Sequence, residues 1–219
     1  MFLQSPRQMA LLTLTLLTLG TGLTACGNPS GEEMAVVDTP MDAMTMDHGA
    51  GHGMDLGPAD GQFDLRFIDA MIPHHEGAVI MAEAALKNSQ RPEIRALAEA
   101  IIAAQAVEIE QMRDWRAAWY PDAGDRPLVY HAEMGHMMPM SEAQIEAMRM
   151  SVDLGPADQE FDLRFIDAMI PHHQGAVDMA KDLLAKTERP EMLALAEAIL
   201  ASQGEEIAQM EAWRQDWYD

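Results

Sequence analysis

Phe67-Ile-Asp-Ala-Met-Ile-Pro-His-His75 decides the reading of this chain, because the same nine residues return as Phe165-Ile-Asp-Ala-Met-Ile-Pro-His-His173. Outward from them, Asp55 to Tyr120 aligns with Asp153 to Tyr218 at a constant offset of 98 residues without a gap, and 44 of the 66 aligned positions are identical. A repeat of this size is a supersecondary unit that cannot bury its apolar face alone and packs on its copy. Two stretches in each copy carry apolar residues at helical spacing. The first holds Phe63, Phe67, Met71, Ala78, Met81 and Ala85, with Asp60 placed to cap its start; the second holds Leu97, Ile101, Ile109, Met112 and Trp115, after a break from Asn88 to Arg91. The spacing predicts an αα-hairpin within 55–120, another within 153–219, and an all-α four-helix bundle made by packing one hairpin on the other. No run of alternating β-branched residues predicts a sheet. The intervening 121–152 reads as a Met/His-rich linker, in which Ser141 to Gln144 fits a capping box opening a short helix to about Met150.

The first 25 residues read as an address. Arg7 is a sparse positive region, Ala10 to Leu19 is an apolar run too short to span a bilayer comfortably, and Leu23-Thr24-Ala25-Cys26 resembles the bacterial lipoprotein box. That reading makes 1–25 a signal peptide, acylates Cys26 as a membrane anchor, and places the protein in the periplasm or cell envelope. Cys26 is the only cysteine, as suits a compartment in which a spare thiol is a liability. From Cys26 onward there are 13 basic and 36 acidic residues, a net charge of 13 minus 36, or −23. Such a charge repels nucleic acid and anionic lipid and favours cations.

From Cys26 on the chain carries 18 Met against 12 Leu, a reversal of ordinary usage. Core filling accounts for part of it. Many of the methionines, however, lie outside the repeats. The segment 26–54 reads as a flexible tether bearing Met41, Met44, Met46, His48, His52 and Met54, and the linker bears His131, Met134, His136, Met137 and Met138. Met41, Met44 and His48 fall at i, i+3 and i+7, as do His131, Met134 and Met138, and would share a face if a metal induced a helical turn. Thioether sulfur is uncharged and polarisable and selects Cu(I) or Ag(I), while imidazole serves Cu(I) and Cu(II) alike. The bland alternative is a linker that only spaces the domain from a membrane.

Within the repeats, Pro73 and Pro171 stand inside helices, each removing a backbone bond at a cost of roughly 3 kcal/mol unless the helix bends or restarts. Met71, His74 and Met81 lie near one helical face with His75 on its flank, and Met169, His172, His173 and Met179 repeat the pattern. Two imidazoles and two thioethers suit one copper ion per repeat, or one shared across the bundle axis. Equally, the histidines serve as donors to carbonyls freed by the proline and the methionines as core.

The string Phe67 to Ala82, followed by Leu97 to Ile101, Gln105, Glu108, Ile109, Met112 and Trp115, closely resembles the bacterial domain-of-unknown-function family three hundred and five, whose members include copper-binding periplasmic proteins. The resemblance covers both repeats, as two tandem copies. It implies a ferritin-like bundle and a role in copper binding and resistance, with Met71, His74, His75, Met81, Met169, His172, His173 and Met179 as the motif residues. The second copy departs by Gln174 for Glu76 and Lys181 for Glu83.

Three function classes follow. The first is an envelope protein that sequesters or buffers copper, or Ag(I), or hands it to an exporter or metallochaperone, without an organic cofactor. The second is a ferritin-like oxidase using iron or copper. No Glu-x-x-His motif stands within the repeats, and Glu99, Glu108, Glu197 and Glu206 are its candidate carboxylates. The third is a helical scaffold that binds no metal.

Overall fold

A computed structural model describes residues 55–218. The fold is all-α apart from one small hairpin: α1 (Phe63–Asn88), α2 (Pro92–Trp119), β1 (Leu128–His131), β2 (His136–Pro139), α3 (Glu142–Arg149), α4 (Phe161–Lys186) and α5 (Pro190–Tyr218). Thus α1 with α2, and α4 with α5, are the two expected αα-hairpins, and α1 packs on α4.

Local chemistry accounts for the helix ends, with one adjustment. The residue before α1 is Gln62, which has no side-chain cap bond; Asp60 instead accepts from the Gln62 amide at 2.9 Å, forming the turn that leads in. Asp158 does the same for the Glu160 amide at 3.0 Å before α4. Proline opens α2, where its missing N–H is no loss. Pro73 and Pro171 neither end nor restart their helices, which continue for more than three turns beyond them.

The hairpins interlock reciprocally. In one core Phe63, Phe67, Ile68 and Met71 of α1 meet Met179 and Leu183 of α4 and Met192, Leu195 and Ile199 of α5. In the other, Phe161, Phe165, Ile166 and Met169 of α4 meet Met81 and Ala85 of α1 and Ile94, Leu97 and Ile101 of α2. Each hairpin therefore buries its phenylalanines in the other, at roughly 1.5–3 kcal/mol per fully buried ring. Polar contacts follow the same pseudo-two-fold. Arg91 pairs with Asp162 at 3.4 Å and covers the Trp217 ring at 4.0 Å, while Arg189 pairs with Asp64 at 3.3 Å and covers Trp119 at 4.0 Å.

The linker corrects the expectation of no sheet. Leu128 to His131 pairs antiparallel with His136 to Pro139, in the register Leu128 to Pro139, Val129 to Met138, Tyr130 to Met137 and His131 to His136. Gly135 takes φ 67° in the turn. The strands are four residues each, too short for alternation to be legible, and they form because the protein supplies anchors. The Leu128 amide donates to Asp69 at 2.8 Å, and Arg126 donates to the Met140 carbonyl at 2.7 Å. Beyond them the expected capping box is present: Ser141 Oγ accepts from the Gln144 amide at 3.2 Å, and Gln144 Oε1 accepts from the Ser141 amide at 2.8 Å.

The end of α3 seats against α1 where Gly77 leaves room, since a Cβ there would stand 1.8 Å from the Arg149 carbonyl oxygen. Gly204 in α5 has nothing within 4 Å of the same position. Gly77→Ala is expected to cost about 1–3 kcal/mol by overpacking, whereas Gly204→Ala gains about 0.5–1 kcal/mol in helix propensity. Urea unfolding of both variants measures the contrast, and a neutral Gly77→Ala would mean that α3 does not seat there.

Candidate metal centre

The Pro-His-His segments meet where α1 crosses α4. His74 and His172, equivalent residues of the two repeats, face each other with ring centroids 3.9 Å apart and planes tilted by 42°. The next residue on each helix lies about 100° further round and turns to its own hairpin partner. His75 Nε2 donates to Glu108 Oε2 on α2 at 2.6 Å, and His173 Nε2 donates to Glu206 Oε2 on α5 at 2.6 Å. His74 and His75 are 6.5 Å apart by centroid, and His172 and His173 are 6.2 Å apart. The result is a chain of four buried imidazoles with a carboxylate at each end.

Proton positions follow from the partners. A carboxylate or carbonyl oxygen accepts, so the hydrogen sits on Nε2 of His75 and His173, and on Nε2 of His172, which donates to the Arg149 carbonyl at 3.0 Å. Nδ1 of all three rings is buried without a hydrogen-bond partner, and His74 has none on either nitrogen. Buried polar atoms are almost always partnered, and each exception costs about 1–3 kcal/mol. Burial, reinforced by the neighbouring imidazoles, holds His74 well below its ordinary value of 6.5. Burial and then His173 lower His172 to about 3, against the opposing pull of the Arg149 carbonyl. Neutral rings with bare lone pairs are the form in which imidazole binds a metal, and an N–H held by a carboxylate or carbonyl is the usual support behind a metal-bound histidine. Among the described residues no three His, Cys, Asp or Glu side chains converge as a ligand group. The donor type fits copper, since two facing neutral imidazoles serve either of its oxidation states.

The methionines of the motif are distributed otherwise than the per-repeat ligand set expects. Met71 and Met179 fill one core, Met81 and Met169 the other, and all are at most 1% exposed. Of the two sequence alternatives, one ion shared across the axis matches the meeting of His74 with His172; Met71 and Met81 are not brought together. In the linker, His131 and His136 are cross-strand partners, Met134 is exposed in the turn, and Met137 and Met138 are neighbours in β2, which places them on opposite faces. The expected helical face of His131, Met134 and Met138 is thus replaced by a hairpin. Arg66 donates to Met137 Sδ at 3.7 Å. Cys26, Met41, Met44, Met46, His48, His52 and Met54 lie outside the described residues.

The sequence offers Glu108 and Glu206 as oxidase carboxylates, and Glu108 also as part of the family string, but not as partners of His75 and His173. Their identity in both copies was the available signal. The Gln174 substitution has a local reason. Glu76 pairs with Arg113 at 2.6 Å and Arg149 at 3.3 Å, but the equivalent of Arg113 is Glu211, and Gln174 donates instead to Asp178 at 2.9 Å. Glu83 is exposed, and Lys181 pairs with Asp178 at 3.1 Å.

Once unfolded, His74 and His172 take up protons near pH 6.5, but folded they resist protonation. Below pH 6.5 the unfolded chain therefore binds more protons, and stability falls as pH drops from about 6.5 toward about 3. The slope reaches about 1.4 kcal/mol per pH unit for each ring. Denaturant midpoints of the metal-free protein at pH 7 and pH 5 are expected to show this loss, and His74→Gln with His172→Gln to flatten it. An equal slope in that double variant would assign the acid sensitivity elsewhere.

No curated protein matches the chain. Among solved structures, CopM in the Cu(II)-bound form is 44% identical with a TM-score of 0.57, covering 71% of this chain and 97% of its own. CopM in the Cu(I)-bound form is 40% identical with a TM-score of 0.54, covering 71% and 98%. A DUF305 fragment from Deinococcus radiodurans is 33% identical with a TM-score of 0.51, covering 71% and 97%. The model of the family described as "Domain of unknown function (DUF305)" matches residues 64–214 as one span, across both hairpins and the linker between them. The chain belongs to the DUF305 family.

Proposed function

We propose that this protein is an envelope copper-binding protein, sequestering or buffering Cu(I) and Cu(II) through histidine and methionine. The carrying observation is the His75, His74, His172, His173 chain, in which four buried rings present unpartnered nitrogens. Its likeness to CopM, crystallised with both copper oxidation states, supports the choice of metal. The rings hold the ion by lone-pair donation, and Glu108 and Glu206 orient the outer two. The burial that keeps His74 and His172 neutral also excludes competing protons.

Groups outside the histidine chain supply capture. His131 and His136, opposite each other across the hairpin, can chelate one ion with their side chains on a common face. Met134, Met137, Met138 and the tether residues Met41, Met44, Met46, His48, His52 and Met54 add soft, exchangeable donors. Such shallow sites release copper readily to an exporter or metallochaperone, and a lipid on Cys26 keeps the protein beside its membrane.

Titration with Cu(I) against a chromogenic chelator is expected to show several equivalents bound. Replacing Met41, Met44, Met134, Met137 and Met138 by Leu removes the weaker equivalents, and His74→Gln with His172→Gln removes the tightest. Failure of the wild-type protein to bind Cu(I) or Ag(I) ends this reading, and metal-dependent oxygen consumption at catalytic rates replaces it with an oxidase. Cys26→Ser is expected to move the protein from the membrane fraction to the soluble fraction in cell fractionation. Persistence of that variant in membranes would remove the lipid anchor.

A further inference from the structure

The two repeats are equivalent at the histidine chain, but the linker that covers it is single. The last turn of α3 reaches the α1/α4 crossing and treats the facing rings differently. The Arg149 carbonyl accepts from His172 Nε2 at 3.0 Å and occupies the space left by Gly77. The next residue, Met150, is the helix C-cap at φ 49°, the only non-glycine residue with positive φ among the described residues. Glycine or asparagine is the usual choice there, and a side chain kept against that preference marks a position under another demand.

The niche at Gly175 shows what the side chain meets. A Cβ at Gly175 would stand 3.2 Å from His74 Nε2 and 3.7 Å from Met150 Sδ, so imidazole and thioether both approach one point. His74 is fully buried and neither of its nitrogens has a hydrogen-bond partner. Since no third His, Cys, Asp or Glu converges here among the described residues, a thioether is the available donor type.

We infer that Met150 is a metal ligand: Cu(I) or Ag(I) sits between His74 Nε2 and Met150 Sδ, in the niche left open by the missing side chain of Gly175. The inference rests on the copper reading above and adds to it a ligand from outside the repeats. Both donors are neutral and the thioether is soft, a pairing that favours a monovalent soft ion over a divalent hard one. The proton of His74 resides on Nδ1 in this state, leaving Nε2 for the ion. Arg149, paired with Glu76 at 3.3 Å and Glu146 at 2.9 Å, holds the strap in register so that Met150 arrives at the niche.

The test uses the full chain labelled with methyl-13C methionine and titrated with Ag(I), which is redox-inert. The Met150 methyl resonance, assigned independently through the backbone, is expected to shift in step with the first equivalent bound. Met150→Leu is expected to weaken that equivalent by about tenfold or more while the metal-free unfolding curve stays the same. An unmoved Met150 resonance while His74 ring signals shift overturns the inference and leaves copper binding at the histidines standing. Absence of any Ag(I) binding by the wild type overturns the copper reading itself. Wild-type affinity in Met150→Leu also overturns the ligand assignment. Should that variant unfold, the wild-type methyl shift still decides.

Discussion

The crossing of α1 over α4 is the constraint on which the rest depends. It brings His74 onto His172 and sends the N-terminal half of each helix into the opposite hairpin, so that Phe63 and Phe67 are buried by α4 and α5, and Phe161 and Phe165 by α1 and α2. Because the two cores lie on either side of the histidines, nothing can move at the crossing without disturbing both. Burial at that point also leaves His74 without a hydrogen-bond partner and depresses the basicity of both rings. Fold and site thus share one cause.

Much of this was legible in the sequence, and for identifiable reasons. The long helices announced themselves through apolar residues at helical spacing sustained over many turns, and the duplication required a partner surface. The capping box at Ser141 is local chemistry and was read correctly. The β1–β2 hairpin was not legible, because four-residue strands owe their existence to Asp69 and Arg126, which lie outside the strands. The partition of the ligands was equally hidden. Spacing places Met71, His74 and Met81 near one face, yet a face twisting around a crossing contacts different neighbours along its length, and the methionines fall into separate cores. The bond from His172 to Arg149 involves a main-chain carbonyl, which carries no residue signature at all.

The single linker breaks an otherwise faithful symmetry. The ion pairs at Arg91 and Arg189, the tryptophan stacks and the histidine–carboxylate pairs occur in both halves. At one differing position the change follows α3: Glu76 reaches Arg149, whereas Gln174 turns to Asp178. Pro73 is buried, whereas Pro171 is exposed.

The reciprocal cores carry a consequence for how such an assembly holds together. Two separate hairpins of this kind, related by a true rotation axis, could make the same aromatic exchanges and the same arginine clasps as a homodimer. Joining them in one polypeptide turns that encounter into an intramolecular one, governed by a millimolar-range effective concentration. Folding then becomes independent of dilution. A protein whose surroundings hold it scarce keeps its paired imidazoles assembled all the same.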